Sequence, residues 1–137
     1  MIGGAGVQPE YVLSETYATL TFTGGLDISR YPEIVETFRS SRDEGSCVIV
    51  DLSSATWIDS VFMTELLVFY RKAVKNDRTM VIVATGNVEK MLAIAGINRR
   101  IRVVANLDDA RKSPARAAWE KQHPNARLVR DGDGAEC

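Results

Sequence analysis

The sequence predicts a single α/β domain built on a mixed β-sheet, and three observations support that fold class. The chain has 137 residues, the usual size of one domain. Short apolar runs alternate along it with segments whose apolar residues recur every three or four positions. Two strand-like segments, residues 11–15 and 18–22, lie close enough together to predict a hairpin. Strands joined through helices pair in parallel, so the hairpin would give the sheet one antiparallel edge.

The elements after the hairpin alternate between helix and strand. Predicted helices have apolar residues at helical spacing. Predicted strands are short apolar runs of the kind that parallel sheets bury on both faces. The helices are predicted at residues 28–38, 61–75, 87–95 and 107–112, and the strands at residues 47–52, 80–84 and 101–105. A turn-like stretch, residues 53–59, joins the first of these strands to the second helix.

The two ends of the chain differ in composition from the body. Residues 1–8 are rich in glycine and predict a flexible N-terminus. Residues 123–137 are polar and contain one proline and two glycines, which predicts a disordered tail. The folded domain is therefore expected to span residues 9–122.

Composition and charge narrow the classes of function. The formal net charge is −1, from 17 basic and 18 acidic side chains, so no nucleic-acid or acidic-lipid surface is indicated. The N-terminus lacks the basic and apolar regions of a signal peptide, and no apolar run is long enough to span a bilayer. Cys47 and Cys137 form neither a disulfide framework nor a metal-binding spacing, which favours a reducing compartment. We therefore expect a cytoplasmic protein.

The sequence offers no recognisable catalytic centre. Its one histidine, His123, lies in the predicted tail, which argues against a Ser-His-Asp or Cys-His site. Gly24-Gly25 follows a strand, but the next helix has no lysine of the kind that a phosphate-binding loop supplies. Asp108-Asp109 begin a helix, where acidic residues offset the helix dipole. No cofactor or metal is indicated, and we expect a binding protein rather than an enzyme.

One junction combines a buried strand, two capping residues and a buried helix. Asp59 and Ser60 precede the helix predicted at residues 61–75, and both are good N-cap residues. Simple capping explains them. A serine at a helix N-terminus is also a favourable position for a phosphate, because backbone N–H groups and the positive end of the helix dipole meet there. The sequence leaves both interpretations open.

Four segments follow one another along the chain: LTFTGGLD at residues 20–27, VIVDLS at 48–53 followed by WIDS at 57–60 and an apolar helix, MVIVA at 80–84, and the helix that ends at Gly96-Ile97. In this order they resemble the STAS domain family, and within it the bacterial anti-sigma factor antagonists. The resemblance covers residues 8–120. It implies one STAS-like domain whose helices pack mainly on one side of the sheet.

The resemblance also implies a function. Antagonists of this family bind a kinase-type anti-sigma factor, and binding releases a sigma factor. The kinase phosphorylates the serine that follows the aspartate at the helix start, here Ser60, which breaks the complex until a phosphatase restores it. By resemblance Asp27 lies near that serine, and the partner-binding residues are Asp27, Asp59, Ser60, Val61 and Phe62.

The sequence departs from the family pattern directly after Ser60. The family has a small or hydroxyl residue and then glycine, whereas this chain has Val61 and Phe62. Glycine lets a partner's backbone approach closely, and phenylalanine does not. The alternative is therefore a STAS subunit that is not phosphorylated and that docks on a scaffold or on a lipid-transport ATPase.

The helix predicted at residues 61–75 carries two apolar sets. The set predicted to face the sheet is Met63, Leu66, Leu67, Tyr70 and Val74. Phe62 and Phe69 lie off that stripe. Either a neighbouring helix covers both rings, or Phe62 is partly exposed and forms an apolar docking patch beside Ser60.

Overall fold

A computed structural model describes residues 10–13, 17–40, 47–112, 122–124 and 127–130. Its strands are β1 (Glu10–Leu13), β2 (Tyr17–Leu26), β3 (Cys47–Ile58), β4 (Thr79–Val83), β5 (Arg102–Val104) and β6 (Arg127–Arg130). Its helices are α1 (Tyr31–Arg39), α2 (Ser60–Lys75), α3 (Gly86–Ile94) and α4 (Leu107–Ala110), and short 3₁₀ turns cover Ile28–Arg30 and Ile97–Arg99. Strands β2 to β5 form a parallel sheet in which the strand order follows the chain order.

The sheet separates two apolar layers of unequal size. Successive side chains of a strand point to opposite faces, so Val50 and Ile82 enter the main core while Ile49 and Val81 enter the second one. Helices α1, α2 and α3 supply most of the rest of the main core. Among the described residues, the short α4 supplies Ala110 to the second core. The predicted α/β fold with helices mainly on one side is confirmed.

The first strand pairs differently from the prediction. In the structure β1 runs parallel to β6, with Tyr11 opposite Leu128, and the described pairings of β2 are all with β3. The expected antiparallel hairpin is therefore absent from the described pairings. Strand β6 also lies inside residues 123–137, the segment that we expected to be a disordered tail. The ladder joins two segments that are far apart in sequence, so local patterns carry little information about it.

Strand β3 is longer than the sequence predicted. Residues 53–58, expected as a turn, continue the strand and pair with the end of β2. Register shifts at Thr21/Thr23 and Gly24/Gly25 interrupt this part of the ladder. Ser53 and Ser54 are exposed, so the apolar run that identifies a buried strand stops before the strand does.

The buried face of α2 matches the prediction in part, since Leu66 is buried and Met63, Leu67 and Tyr70 are partly buried against the main core. Its buried residues are Phe62, Leu66, Phe69 and Ala73, at spacings of four and three. Val74, which was assigned to the sheet-facing stripe, is 52% exposed. Phe69 packs on Phe38 of α1 with ring centroids 4.9 Å apart. The buried stripe therefore turns toward α1, because α2 packs against a neighbouring helix as well as the sheet.

Cys47 begins β3 and is completely buried in the second core. Its sulfur is in a disulfide bond, so the expectation that the cysteines form no disulfide framework is wrong for this residue. The cysteines therefore no longer argue for a reducing compartment.

Candidate functional site

The ends of β2 and β3 place two aspartates at one edge of the sheet. Leu26 and Ile58 are opposite each other at the last paired position of the two strands. Each is followed directly by an aspartate, Asp27 after β2 and Asp59 after β3. The backbone N–H of Asp59 donates to the carbonyl of Leu26 over 3.1 Å. Parallel pairing thus brings Asp27, Asp59 and the adjoining Ser60 to the same edge.

The carboxylate of Asp59 links the two chain turns. Oδ1 accepts a hydrogen bond from the backbone N–H of Phe62 at 2.9 Å, which caps α2. Oδ2 accepts one from the backbone N–H of Ile28 at 3.1 Å, which belongs to the turn after β2. One side chain therefore fixes the start of α2 relative to the Asp27–Ile28 turn. Capping, the simpler of the two interpretations of Asp59, is confirmed by this geometry.

Asp27 organises the turn on its own side of the edge. Its Oδ1 accepts from the backbone N–H of Ser29 at 2.9 Å and also from the Ser29 hydroxyl. It is the N-cap of the 3₁₀ turn that leads into α1. Asp27 is half-buried, so part of its surface remains available to a partner.

Ser60 is the first residue of α2 and is exposed. Its carbonyl accepts from the Thr64 hydroxyl at 2.8 Å, so its backbone is held within the first turn. A helix leaves its first N–H groups without intrahelical acceptors. Asp59 takes the one on Phe62, and those on Ser60 and Val61 remain at the helix end. The hydroxyl of Ser60 thus lies beside a polarised helix N-terminus.

Phe62 does not belong to the exposed part of this site. Its side chain is 0% exposed, and its ring meets Phe22 edge-to-face with centroids 5.2 Å apart and planes at 80°. Phe38 of α1 lies 5.9 Å away. The hypothesis that Phe62 is an exposed docking residue is wrong, because α1 and the sheet close over it. Val61, by contrast, is half-buried.

A glycine pair lets two side chains lie close against the end of β2. Gly24 has a φ of +75°, a left-handed conformation that glycine adopts readily. A Cβ on Gly25 would stand 2.7 Å from Nε1 of Trp57, so the Trp57 ring lies directly on the glycine backbone. The guanidinium of Arg30 donates to the carbonyls of Thr23 and Gly25. These contacts fix the shape of the strand end beside Asp27.

Two further polar pairs connect the start of α1 to its surroundings. Arg30 pairs with Glu33 at 2.7 Å, and this hydrogen bond is the main reason why the pKa of Glu33 is lowered. The Tyr31 hydroxyl donates to Glu65 of α2 at 3.1 Å, and the same bond raises the pKa of Tyr31. The second pair joins α1 to the first half of α2 beside Ser60.

The sequence did not mark Arg30, Tyr31 or Trp57 as site residues, although Trp57 begins the WIDS segment. The Gly24-Gly25 pair was a signal, since adjacent glycines late in a strand often mark a close approach of another group. Nothing in the sequence showed that the approaching group would be Trp57. Within the described residues, no cluster of three or more potential metal ligands is found. The described helices also include none with the length and apolar character needed to cross a membrane.

The sequence profile of the STAS domain matches residues 8–110. The chain belongs to the STAS domain family. No curated protein matches it in a sequence comparison. In this STAS domain, the junction between β3 and α2 holds the Asp59-Ser60 pair on which the resemblance rested.

Two solved structures are similar to this STAS domain in fold. One is an anti-sigma factor antagonist from Mycobacterium paratuberculosis, with a TM-score of 0.64 and 22% identity, covering 69% of this chain and 81% of that one. The other is a Thermotoga maritima protein given the same description provisionally, with a TM-score of 0.60 and 16% identity, covering 69% of this chain and 83% of that one. At these identities the comparison establishes the shared fold.

Proposed function

We propose that this STAS domain is an anti-sigma factor antagonist-like regulator that acts by binding, not by catalysis. Its partner is a serine kinase of the anti-sigma type, located with it in the cytoplasm. Phosphorylation of Ser60 by that kinase releases the partner, and a phosphatase reverses the step. The contact surface is the edge formed by Asp27, Asp59, Ser60 and Val61.

The accessibility of Ser60 at the start of α2 is the observation that carries this proposal. Ser60 is exposed, whereas Asp59 directly before it caps the helix and Phe62 two positions after it lies in the core. A phosphate on Ser60 would meet the remaining N–H groups of the helix end, so the fold tolerates it. A docked partner would instead meet about −1.5 to −2 units of new charge.

The chain isolated from the cells that make it tests the phosphorylation step. Intact-mass and peptide analysis should find one phosphate, and it should be on Ser60. The Ser60→Ala variant should carry none. Phosphate found at Ser53 or Ser40 and never at Ser60 would reject the proposal.

A second candidate function follows from the departure at Val61 and Phe62. A STAS subunit of a scaffold or of a lipid-transport ATPase would use the same edge without phosphorylation. The start of α2 favours this second function, because Phe62, which packs on Phe22, stands where the family has a glycine. A bulky apolar residue there does not let a kinase backbone approach as a glycine does. Two results would support this second function. The chain would never be found phosphorylated, and the parent chain and the Ser60→Asp variant would co-purify with an ATPase equally well.

A further inference from the structure

We propose that Ile28, Tyr31 and Trp57 form the apolar anchor by which the Ser60 kinase holds this protein. We call these three residues the Trp57 patch. The inference rests on the proposed function and deepens it, because it names the chemistry of the kinase surface. That surface is an apolar cleft with a basic rim.

Exposed apolar side chains are concentrated at the edge that carries Ser60. Among the described residues, six large apolar side chains are exposed, and three of them are the Trp57 patch, at 67% for Ile28, 41% for Tyr31 and 40% for Trp57. Each is tied to the phosphoacceptor edge by a contact or by the chain. Ile28 donates to Asp59, Tyr31 to Glu65 on the second turn of α2, and Trp57 precedes Ser60 by three residues.

Contacts within the fold position the two aromatic side chains of the patch and the backbone of Ile28. The Trp57 ring rests on Gly25, and a methyl group there would already collide with it. Ile28 is held through its backbone by Asp59, and Tyr31 through its hydroxyl by Glu65. Ordered aromatic side chains lose little conformational entropy on binding, which is one reason why they dominate many protein interfaces.

The side chains of Trp57 and Tyr31 project on different sides of the sheet edge. Ile58 enters the main core, so its neighbour Trp57 projects from the opposite side of the strand. Tyr31 lies on the other side, where α1 meets α2. Ile28 lies in the turn after β2, bonded through its backbone to Asp59. A partner that contacts all three must straddle the edge, which a cleft does and a flat surface does not.

Acidic side chains surround the Trp57 patch. Two carboxylates contact the patch directly, that of Asp59 through the backbone of Ile28 and that of Glu65 through the Tyr31 hydroxyl. Asp27 precedes Ile28 in the chain, and Arg30 with its partner Glu33 flanks Tyr31. The surroundings of the patch are therefore acidic, although the whole chain is nearly neutral at −1. A basic rim on the kinase would complement them and speed association. A carboxylate of the kinase opposite Ser60 would repel a phosphate there, so the basic rim faces the acidic residues around the patch and not the phosphoacceptor itself.

Binding to the purified kinase that phosphorylates Ser60 tests the anchor. Dissociation constants would be measured for the full chain, for Trp57→Ala and Ile28→Ser, and for Ile94→Ser as the matched control, since Ile94 is 88% exposed on α3. We expect both patch variants to bind at least about tenfold more weakly. The control should bind as the parent does, and added salt should weaken binding by the parent.

Ile28→Ser keeps the test valid if Trp57→Ala unfolds, because a side chain 67% exposed contributes little to the core. Parent-like affinity of folded Ile28→Ser or Trp57→Ala would overturn the anchor and leave phosphorylation of Ser60 intact. Equal losses for Ile94→Ser would overturn it as well. If no kinase phosphorylates Ser60, the proposed function fails, and the anchor fails with it.

Discussion

At the scale of single residues, the site is defined by neighbours with opposite roles. Ser60 is exposed, Asp59 on its one side is engaged in two hydrogen bonds, and Phe62 beyond Val61 is completely buried. A substitution within this short stretch therefore affects either stability or recognition, depending on the position. Two predictions separate these effects.

Phe62→Ala should destabilise the domain strongly. The ring packs against Phe22 and Phe38, and truncation of a buried phenylalanine costs about 3–5 kcal/mol. Thermal or urea unfolding measures the loss. The control is Val68→Ala on the same helix, where a side chain 37% exposed should lose far less. Parent-like stability of Phe62→Ala would show that the ring is not core.

Asp27→Asn should impair phosphorylation of Ser60 more than it affects folding. Asparagine is as good an N-cap as aspartate, so the bond to Ser29 survives and the free energy of unfolding should change by less than about 0.5 kcal/mol. The loss of one charge from the edge should slow capture by the kinase by about tenfold. Initial phosphorylation rates and a melting curve provide the two readouts. A large loss of stability with an unchanged phosphorylation rate would show that Asp27 supports the fold and not recognition by the kinase.

At the scale of elements, the strand ends after β2 and β3 form one structural unit. The side-chain bond from Asp59 to Ile28 and the contact of Trp57 with Gly25 both cross from one strand end to the other. The resemblance to the STAS family implied that Asp27 would lie near Ser60, and the parallel pairing of β2 and β3 brings both to one edge of the sheet. The sequence could not indicate these crossing contacts, which depend on the extension of β3 to Ile58 and its shifted register.

Gly25→Ala tests this unit. The new Cβ would lie 2.7 Å from the Trp57 ring, so the ring must move, at a cost of about 1–3 kcal/mol. The loss of stability should be accompanied by a shift of the Trp57 fluorescence. This would be measured in a chain that also carries Trp119→Phe, so that Trp57 is the only tryptophan that emits. The double variant Gly25→Ala/Trp57→Ala should lose less than the sum of the single changes, because one change relieves the clash of the other. Strict additivity would contradict the contact.

At the scale of the whole molecule, alternating patterns predicted the fold well and failed where long-range packing decides. The alternation of strands and helices followed from apolar periodicity, and the helices mainly on one side followed from the resemblance to the STAS family. The antiparallel edge expected of the sheet is absent from its described pairings, which are all parallel. The buried stripe of α2 was assigned only in part, with Phe62 and Phe69 left off it and Val74 wrongly included, because periodicity identifies an apolar face but not which neighbours cover it. The partner of β1 was also missed, since pairing with β6 joins opposite ends of the chain.

Removal of residues 123–137 should leave the domain folded. The deletion removes β6, whose described pairing is with β1 alone in a ladder separate from the main sheet. A two-stranded ladder is marginally stable by itself, so the expected loss is below about 2 kcal/mol relative to the full chain. Both chains would be unfolded in urea with a reductant present, because the deletion also removes Cys137, the only cysteine besides Cys47, and with it any disulfide within the chain. A chain ending before α4 is the control, because Ala110 fills the second core and its loss should be larger. Unfolding of the shorter deletion would show that the ladder is integral to the domain.

The central claim is that phosphorylation of Ser60 switches binding, and affinity before and after modification tests it most directly. The purified kinase would be titrated with the unmodified chain, with the chain phosphorylated on Ser60, and with Ser60→Asp. One added charge about 5 Å from a partner carboxylate costs about 3 kcal/mol at an effective dielectric of about 20. We therefore predict roughly hundredfold weaker binding of the phosphorylated chain, with unchanged circular dichroism. Equal affinity of the two forms would contradict the account.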